Sequence, residues 1–141
     1  MSHVVLFLCV ANSARSQMAE GLARAMDLDG FEVHSAGSDP AVVNPLAVRA
    51  LNERSIPADG QFSKGLDEVP IDRVRTVITL CEEEVCPNLP DSATHLHWPM
   101  PDPAAATGSE DERLESFRKV RDMIDERLRG WLRASDCEAI A

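Results

Sequence analysis

Val4-Val5-Leu6-Phe7-Leu8 is a run of β-forming apolar residues with no polar alternation. A strand with one face in water alternates polar and apolar side chains; an unbroken run is the pattern of a strand buried on both faces of a parallel sheet. Parallel strands need crossover connections, which are usually helices, so a run of this kind commits the chain to strand–helix alternation. The remaining sequence reads that way. Gln17 to Met26 places Met18, Leu22 and Ala25 at helical spacing, and Phe31 to Ala36 is a second strand ending at Gly37. Asn44-Pro45 is an N-cap followed by proline at the first helical position, predicting a helix to about Arg54. Thr76 to Leu80 is a third strand, His95 to Trp98 a short fourth, and Pro99 to Ala106 a proline-rich loop. Ser109 with Glu112 forms a capping box for a last helix that puts Leu114, Phe117, Val120, Ile124, Leu128 and Trp131 on one face. The expected fold is α/β: a three-layer arrangement with a parallel sheet flanked by helices.

Size and charge narrow the function classes. At 141 residues the chain fits one domain spanning 1–141, and 44% hydrophobic with 27% charged residues is an ordinary globular composition. The longest apolar run, Val4 to Ala11, falls far short of the ~20 residues of a membrane-spanning helix. No basic stretch precedes it and no small-residue cleavage site closes it, so the expectation is a cytoplasmic protein. A net charge of −10 repels nucleic acid and anionic lipid, so neither is an expected partner. A monomer is the default for a chain this small. The four cysteines, Cys9, Cys81, Cys86 and Cys137, carry no secretion signal with them, so reduced, metal-bound or catalytic thiols are expected over structural disulfides.

Cys9 and Arg15 bracket a loop of small and polar residues, Val10-Ala11-Asn12-Ser13-Ala14, directly after the buried strand and before the first helix. That is the carboxyl edge of the sheet, where open α/β folds bind ligands. Such a loop can turn successive backbone N–H groups inward as a nest for a tetrahedral oxyanion, and Arg15 supplies a planar fork for two of its oxygens. The same dipoles stabilise the thiolate of Cys9.

The segment Cys9-Val10-Ala11-Asn12-Ser13-Ala14-Arg15-Ser16-Gln17-Met18-Ala19-Glu20-Gly21 closely resembles the opening motif of arsenate reductases built on the low-molecular-weight tyrosine phosphatase fold. Ser35-Ala36-Gly37, Thr79-Leu80-Cys81 and His97-Trp98 leading to Asp102-Pro103 fit the same family in order and spacing. The resemblance implies a four-stranded parallel sheet with an oxyanion site at Cys9, Val10, Ala11, Asn12, Ser13, Ala14, Arg15 and Ser16. It further implies a thiol relay in which Cys9 attacks arsenate, Cys81 is the second nucleophile and Cys86 the third. Asp102 is the acid it implies for the departing oxygen. Two relay thiols point to thioredoxin as reductant; glutathione with glutaredoxin, discharging Cys81 directly, is the alternative. A low-molecular-weight protein tyrosine phosphatase is the competing reading, but such enzymes usually carry an aromatic residue after the acidic Asp-Pro, whereas Ala104 follows Pro103 here and the chain has no tyrosine.

Other residues take their expected roles from the same comparison. Asn12 and Ser16 brace the oxyanion loop by hydrogen bonds. Some thioredoxin-coupled relatives bind potassium beside this loop, and Asn12, Glu20 and Ser35 match positions used there; Ser63-Lys64-Gly65, however, puts a cation where an acidic ligand is expected. His97 and Trp98 read as core, and Cys137 as a non-essential thiol. A helical Cys81–Cys86 segment would hold Cα atoms roughly 8–9 Å apart, beyond disulfide reach, and would have to unwind on oxidation.

Overall fold

The computed structural model describes residues 3–9, 12–26, 31–37, 39, 41–58, 60–81 and 93–140, the side chains of 133–140 excepted. Four strands, β1 (His3–Cys9), β2 (Phe31–Gly37), β3 (Val74–Thr79) and β4 (Thr94–His97), form one sheet in the order β2-β1-β3-β4. Every neighbouring pair is parallel. The helices are α1 (Arg15–Ala25), α2 (Pro45–Asn52) and α3 (Glu110–Ile140). The parallel sheet and its helices are those the sequence predicts.

The unbroken run in β1 is explained by its position at the centre of the sheet. Val5 and Phe7 join Met18, Leu22, Leu51, Phe117 and Ile124 in one apolar cluster, which holds residues of all three helices. Val4, Leu6 and Leu8 alternate to the other face, against Ala36, Val69, Val74, Val77 and Ala93. Both sets are buried, so at about 25 cal/mol per Å² of apolar area the strand is stabilised from both faces. The long helix α3 buries Leu114, Phe117, Val120, Ile124 and Leu128 as its spacing requires, and its Ser109–Glu112 capping box is formed in both directions.

Element ends differ from expectation in informative places. The first helix begins at Arg15, not Gln17, with Met18 N donating to Ala14 O, so Arg15 and Ser16 stand in its first turn. Helix α2 starts at its Asn44 cap, whose Oδ1 accepts from Leu46 N at 2.9 Å. It closes in a Schellman-type turn: Ile56 N donates to Leu51 O, Ser55 N to Asn52 O, and Ser55 takes the left-handed φ of 60°. His97, read as core, is exposed on β4, with Nδ1 2.7 Å from Thr79 Oγ1; Trp98, one residue on, is buried. β4 is the edge strand of the sheet, and Thr94, His95 and His97 are all exposed there, so neither of its faces is fully covered.

Candidate active site

Parallel pairing brings the ends of β1 and β3 to one edge. Leu8 lies opposite Thr79, and beyond it Leu80 N donates to Leu8 O at 3.0 Å. The next residue on each chain is a cysteine. Cys9 and Cys81 are both buried, and their sulfurs are 2.7 Å apart, with Cys81 as donor. A disulfide is about 2.05 Å long, and atoms held in near-attack arrangements lie roughly 3–3.5 Å apart. The fold therefore places these two thiols where one can attack the other.

Between β1 and α1 stands Asn12, which is fully buried and adopts a φ of 49°. Asparagine is among the few side chains that tolerate this left-handed region, because it can bond locally. Here its amide nitrogen donates to Ser16 Oγ at 2.8 Å and to Ser35 Oγ at 3.0 Å. Its oxygen accepts from Gln17 Nε2 and from Lys64 N, both at 2.9 Å. Ser13 O accepts from Asn44 N at 2.9 Å, which fastens the loop to the start of α2. The first of these bonds joins Asn12 to Ser16, the two residues expected to brace this segment.

Helix α1 begins immediately after this loop with Ala14 as its cap. Alanine offers no side-chain acceptor, and the first turn carries no acidic residue. The N–H groups and positive dipole end of α1 are thus left for an anion. Arg15 in that turn donates from Nη1 to Met100 O at 3.0 Å, while its buried Nε has no partner among the described residues. A buried guanidinium N–H without a protein acceptor is expensive unless a ligand oxygen serves it.

Asp102 is exposed in the loop that Met100 anchors, and its Oδ1 accepts from Ala104 N at 3.0 Å, capping a short 3-10 turn at Pro103–Ala105. It therefore acts as a turn former in this structure. Val10, Ala11 and Cys86 lie outside the described residues, as do the expected Cys81–Cys86 helix and the side chain of Cys137.

The suggested potassium set fails a donor test. Lys64 Nζ lies 3.2 Å from Glu20 Oε1, which also accepts from Ser35 Oγ at 2.8 Å. Ser35 Oγ in turn faces an N–H of Asn12, whose own oxygen is already shared by two donors. A hard cation needs several converging oxygens. Asn12, Glu20 and Ser35 instead meet an ammonium and each other's protons, and do not fit the ion. Gln17, Gln61 and Met100 escaped sequence reasoning as site-supporting residues, whereas Lys64 is singled out there as a cation beside the Asn12, Glu20 and Ser35 set. A sequence signal for Gln17 was its polarity beside the small and apolar residues Met18, Ala19, Gly21, Leu22 and Ala23.

Comparison with known proteins agrees with this geometry. The profile described as low molecular weight phosphotyrosine protein phosphatase matches residues 4–140. The chain is 41% identical over 128 residues to an arsenate reductase of Halalkalibacterium halodurans, covering 89% of this chain and 92% of that protein. It is 40% identical to one of Bacillus subtilis, with the same coverage of 89% and 92%. Among solved structures, an arsenate reductase in its phosphate-binding state superimposes with a TM-score of 0.77 at 32% identity, covering 94% of this chain and 98% of that one. A thioredoxin-dependent arsenate reductase of Corynebacterium glutamicum gives a TM-score of 0.76 at 29% identity, covering 97% of this chain and 63% of that one. With its four-stranded parallel sheet and near full-length relatives, the chain belongs to the low molecular weight phosphotyrosine protein phosphatase family.

Proposed function

We propose that this chain is an arsenate reductase that works by a Cys9–Cys81–Cys86 thiol relay, with thioredoxin as its reductant. The observation that carries the reading is the 2.7 Å separation of Cys9 and Cys81 at the oxyanion loop. A phosphatase needs one nucleophile, an anion nest and an acid, but no second thiol, whereas the relay requires one against the first.

Arsenate binds in the loop from Cys9 to Ser16, its charge met by backbone N–H groups, the α1 dipole and Arg15. The Cys9 thiolate attacks arsenic, and an As–O bond breaks as the oxygen leaves with a proton from Asp102. Cys81, as thiolate, then attacks Cys9 Sγ. The Cys9–Cys81 bond forms, the S–As bond breaks, and its electron pair stays on arsenic, which leaves as arsenite. Cys86 attacks Cys81 Sγ, restoring the Cys9 thiolate and leaving a Cys81–Cys86 disulfide. The dithiol of thioredoxin takes up that oxidation and becomes a disulfide itself. Such a cycle runs in a reducing cytoplasm, where protein thiols are kept reduced.

The test is arsenate-dependent NADPH oxidation coupled through thioredoxin and thioredoxin reductase. Turnover by the wild type, lost in Cys81→Ser and in Cys86→Ser, is the expected result. Activity only with glutathione and glutaredoxin would keep the reductase and change the partner. No arsenate-dependent turnover with either system, alongside aryl phosphate hydrolysis that survives Cys81→Ser, would overturn the reading in favour of a phosphatase.

A further inference from the structure

Lys64 and Glu20 form an ion pair away from water: their side chains are 6% and 2% exposed, and Nζ to Oε1 is 3.2 Å. Charged side chains are seldom buried to this degree, and removing one partner of such a pair leaves the other uncompensated. The pair is also wired to the oxyanion loop. Glu20 Oε1 accepts from Ser35 Oγ, and Ser35 Oγ accepts from Asn12 Nδ2, so three hydrogen bonds lead from the ammonium to the left-handed residue of the loop. A second path is shorter, since the backbone N–H of Lys64 donates to Asn12 Oδ1. Lys64 Nζ further donates to Phe62 O at 3.3 Å and lies 4.8 Å from the centre of the Phe62 ring.

We propose that Lys64 is a positioning residue whose buried ammonium, paired with Glu20 and bonded through Asn12, serves as a built-in cation for the oxyanion loop. It makes anion binding independent of alkali-metal ions. The physical need is clear. Glu20 lies on α1, the helix whose N-terminus receives the anion, and a bare carboxylate there opposes both the anion and a thiolate. Arg24 Nε is 3.7 Å from the other Glu20 oxygen, but that side chain is half-exposed and screened. Lys64 alone neutralises the carboxylate from inside. Its removal would leave Glu20 Oε1 and Phe62 O facing a space of cation size, with oxygens of the kind hard cations take.

The proposal deepens the oxyanion-site reading but does not require arsenate reduction, so its test is phosphate binding by titration calorimetry. Wild type and Lys64→Met are compared in choline chloride and in potassium chloride at equal ionic strength. The wild type is expected to bind phosphate equally in both salts. Lys64→Met is expected to bind about tenfold more weakly in choline chloride and to recover most of that loss in potassium chloride. The double variant Lys64→Met/Glu20→Gln, which removes both charges, is expected to show no salt preference, and circular dichroism checks that each variant folds. Tighter wild-type binding in potassium chloride would overturn the proposal, because the ion would then be doing what Lys64 is assigned. So would Lys64→Met binding phosphate as the wild type does, or a potassium response retained by the double variant. Should Lys64→Met fail to fold, the wild-type and double-variant titrations decide.

Discussion

The guanidinium of Arg15 donates to the carbonyl oxygen of Met100 at 3.0 Å, joining the oxyanion loop to the loop that carries Asp102. Met100 is held there because its N–H donates to Leu80 O, next to Cys81. One planar cation thus ties the first thiol's loop, the second thiol's strand end and the candidate acid into a single frame. Lysine keeps the charge but cannot bond Met100 and two anion oxygens with a fixed fork. Arg15→Lys is expected to lower kcat/KM for arsenate roughly 100-fold, about 2.7 kcal/mol, with little change in thermal unfolding. A fall of less than about fivefold in steady-state assays would contradict this role.

Asp102 caps its own turn as well as being the candidate acid, and the two roles separate by substitution. Asp102→Asn keeps an oxygen for Ala104 N but holds no transferable proton. It should lower kcat about 100-fold and leave the melting temperature unchanged. Asp102→Ala should match it in activity and lose a further ~1 kcal/mol of stability from the missing cap. Equal activity of Asp102→Asn and wild type in arsenate turnover would remove Asp102 from the reaction.

Gly21 is the point at which α1 meets α2. A Cβ built there would lie 2.8 Å from Leu51 Cδ1 and 3.2 Å from Gln61 Oε1. Alanine is the better helix former by about 1 kcal/mol, yet the overpacking should win, because Leu51 is buried and cannot move aside freely. Gly21→Ala is expected to destabilise by roughly 1–2 kcal/mol in denaturant unfolding. A stability gain would show that the α1–α2 contact yields.

Between α2 and α3, the hydrogen bond from Arg118 holds the Glu53 carboxyl down at about 2, with Arg121 adding to it. A carboxylate with a lowered folded-state pKa contributes stability that is complete above its unfolded value and is lost as pH falls toward the folded one. Glu53 is a third exposed, so solvent screening limits its share to at most ~1 kcal/mol. Glu53→Gln should therefore trail the wild type in urea unfolding near neutral pH, and the gap should close as pH falls from about 4.5 toward 2. A gap that stays constant over that range would mean the pairing is not electrostatic.

The sheet was legible because its signals are local. An apolar run without alternation identifies a central strand, and Asn44-Pro45 and Ser109–Glu112 mark helix starts through chemistry within one turn. The loop after Cys9 is singled out in the same local way, from residue types and its position between strand and helix. What stayed hidden is long-range. The family resemblance puts the Lys64 cation beside Glu20, but the burial of the pair across 44 positions was not readable, because nothing near Lys64 in sequence tells an exposed lysine from one buried against a carboxylate. The start of α1 at Arg15 was equally unreadable, since it depends on the left-handed Asn12, which is held by Ser35 and Lys64 from elsewhere in the chain. His97 was misplaced because β4 is the edge strand of the sheet, where side chains stay exposed whichever face they take, and sequence alone does not give strand order.

The most direct measurement is a single turnover of Cys86→Ser with one equivalent of arsenate and no external reductant. This variant can complete the attack of Cys81 on Cys9 but cannot pass the oxidation on. The account predicts one arsenite released per protein and a Cys9–Cys81 disulfide recovered by peptide mass spectrometry, as the 2.7 Å contact between the two sulfurs requires. Arsenite release without that disulfide, or no arsenite while arsenate is bound, would contradict it.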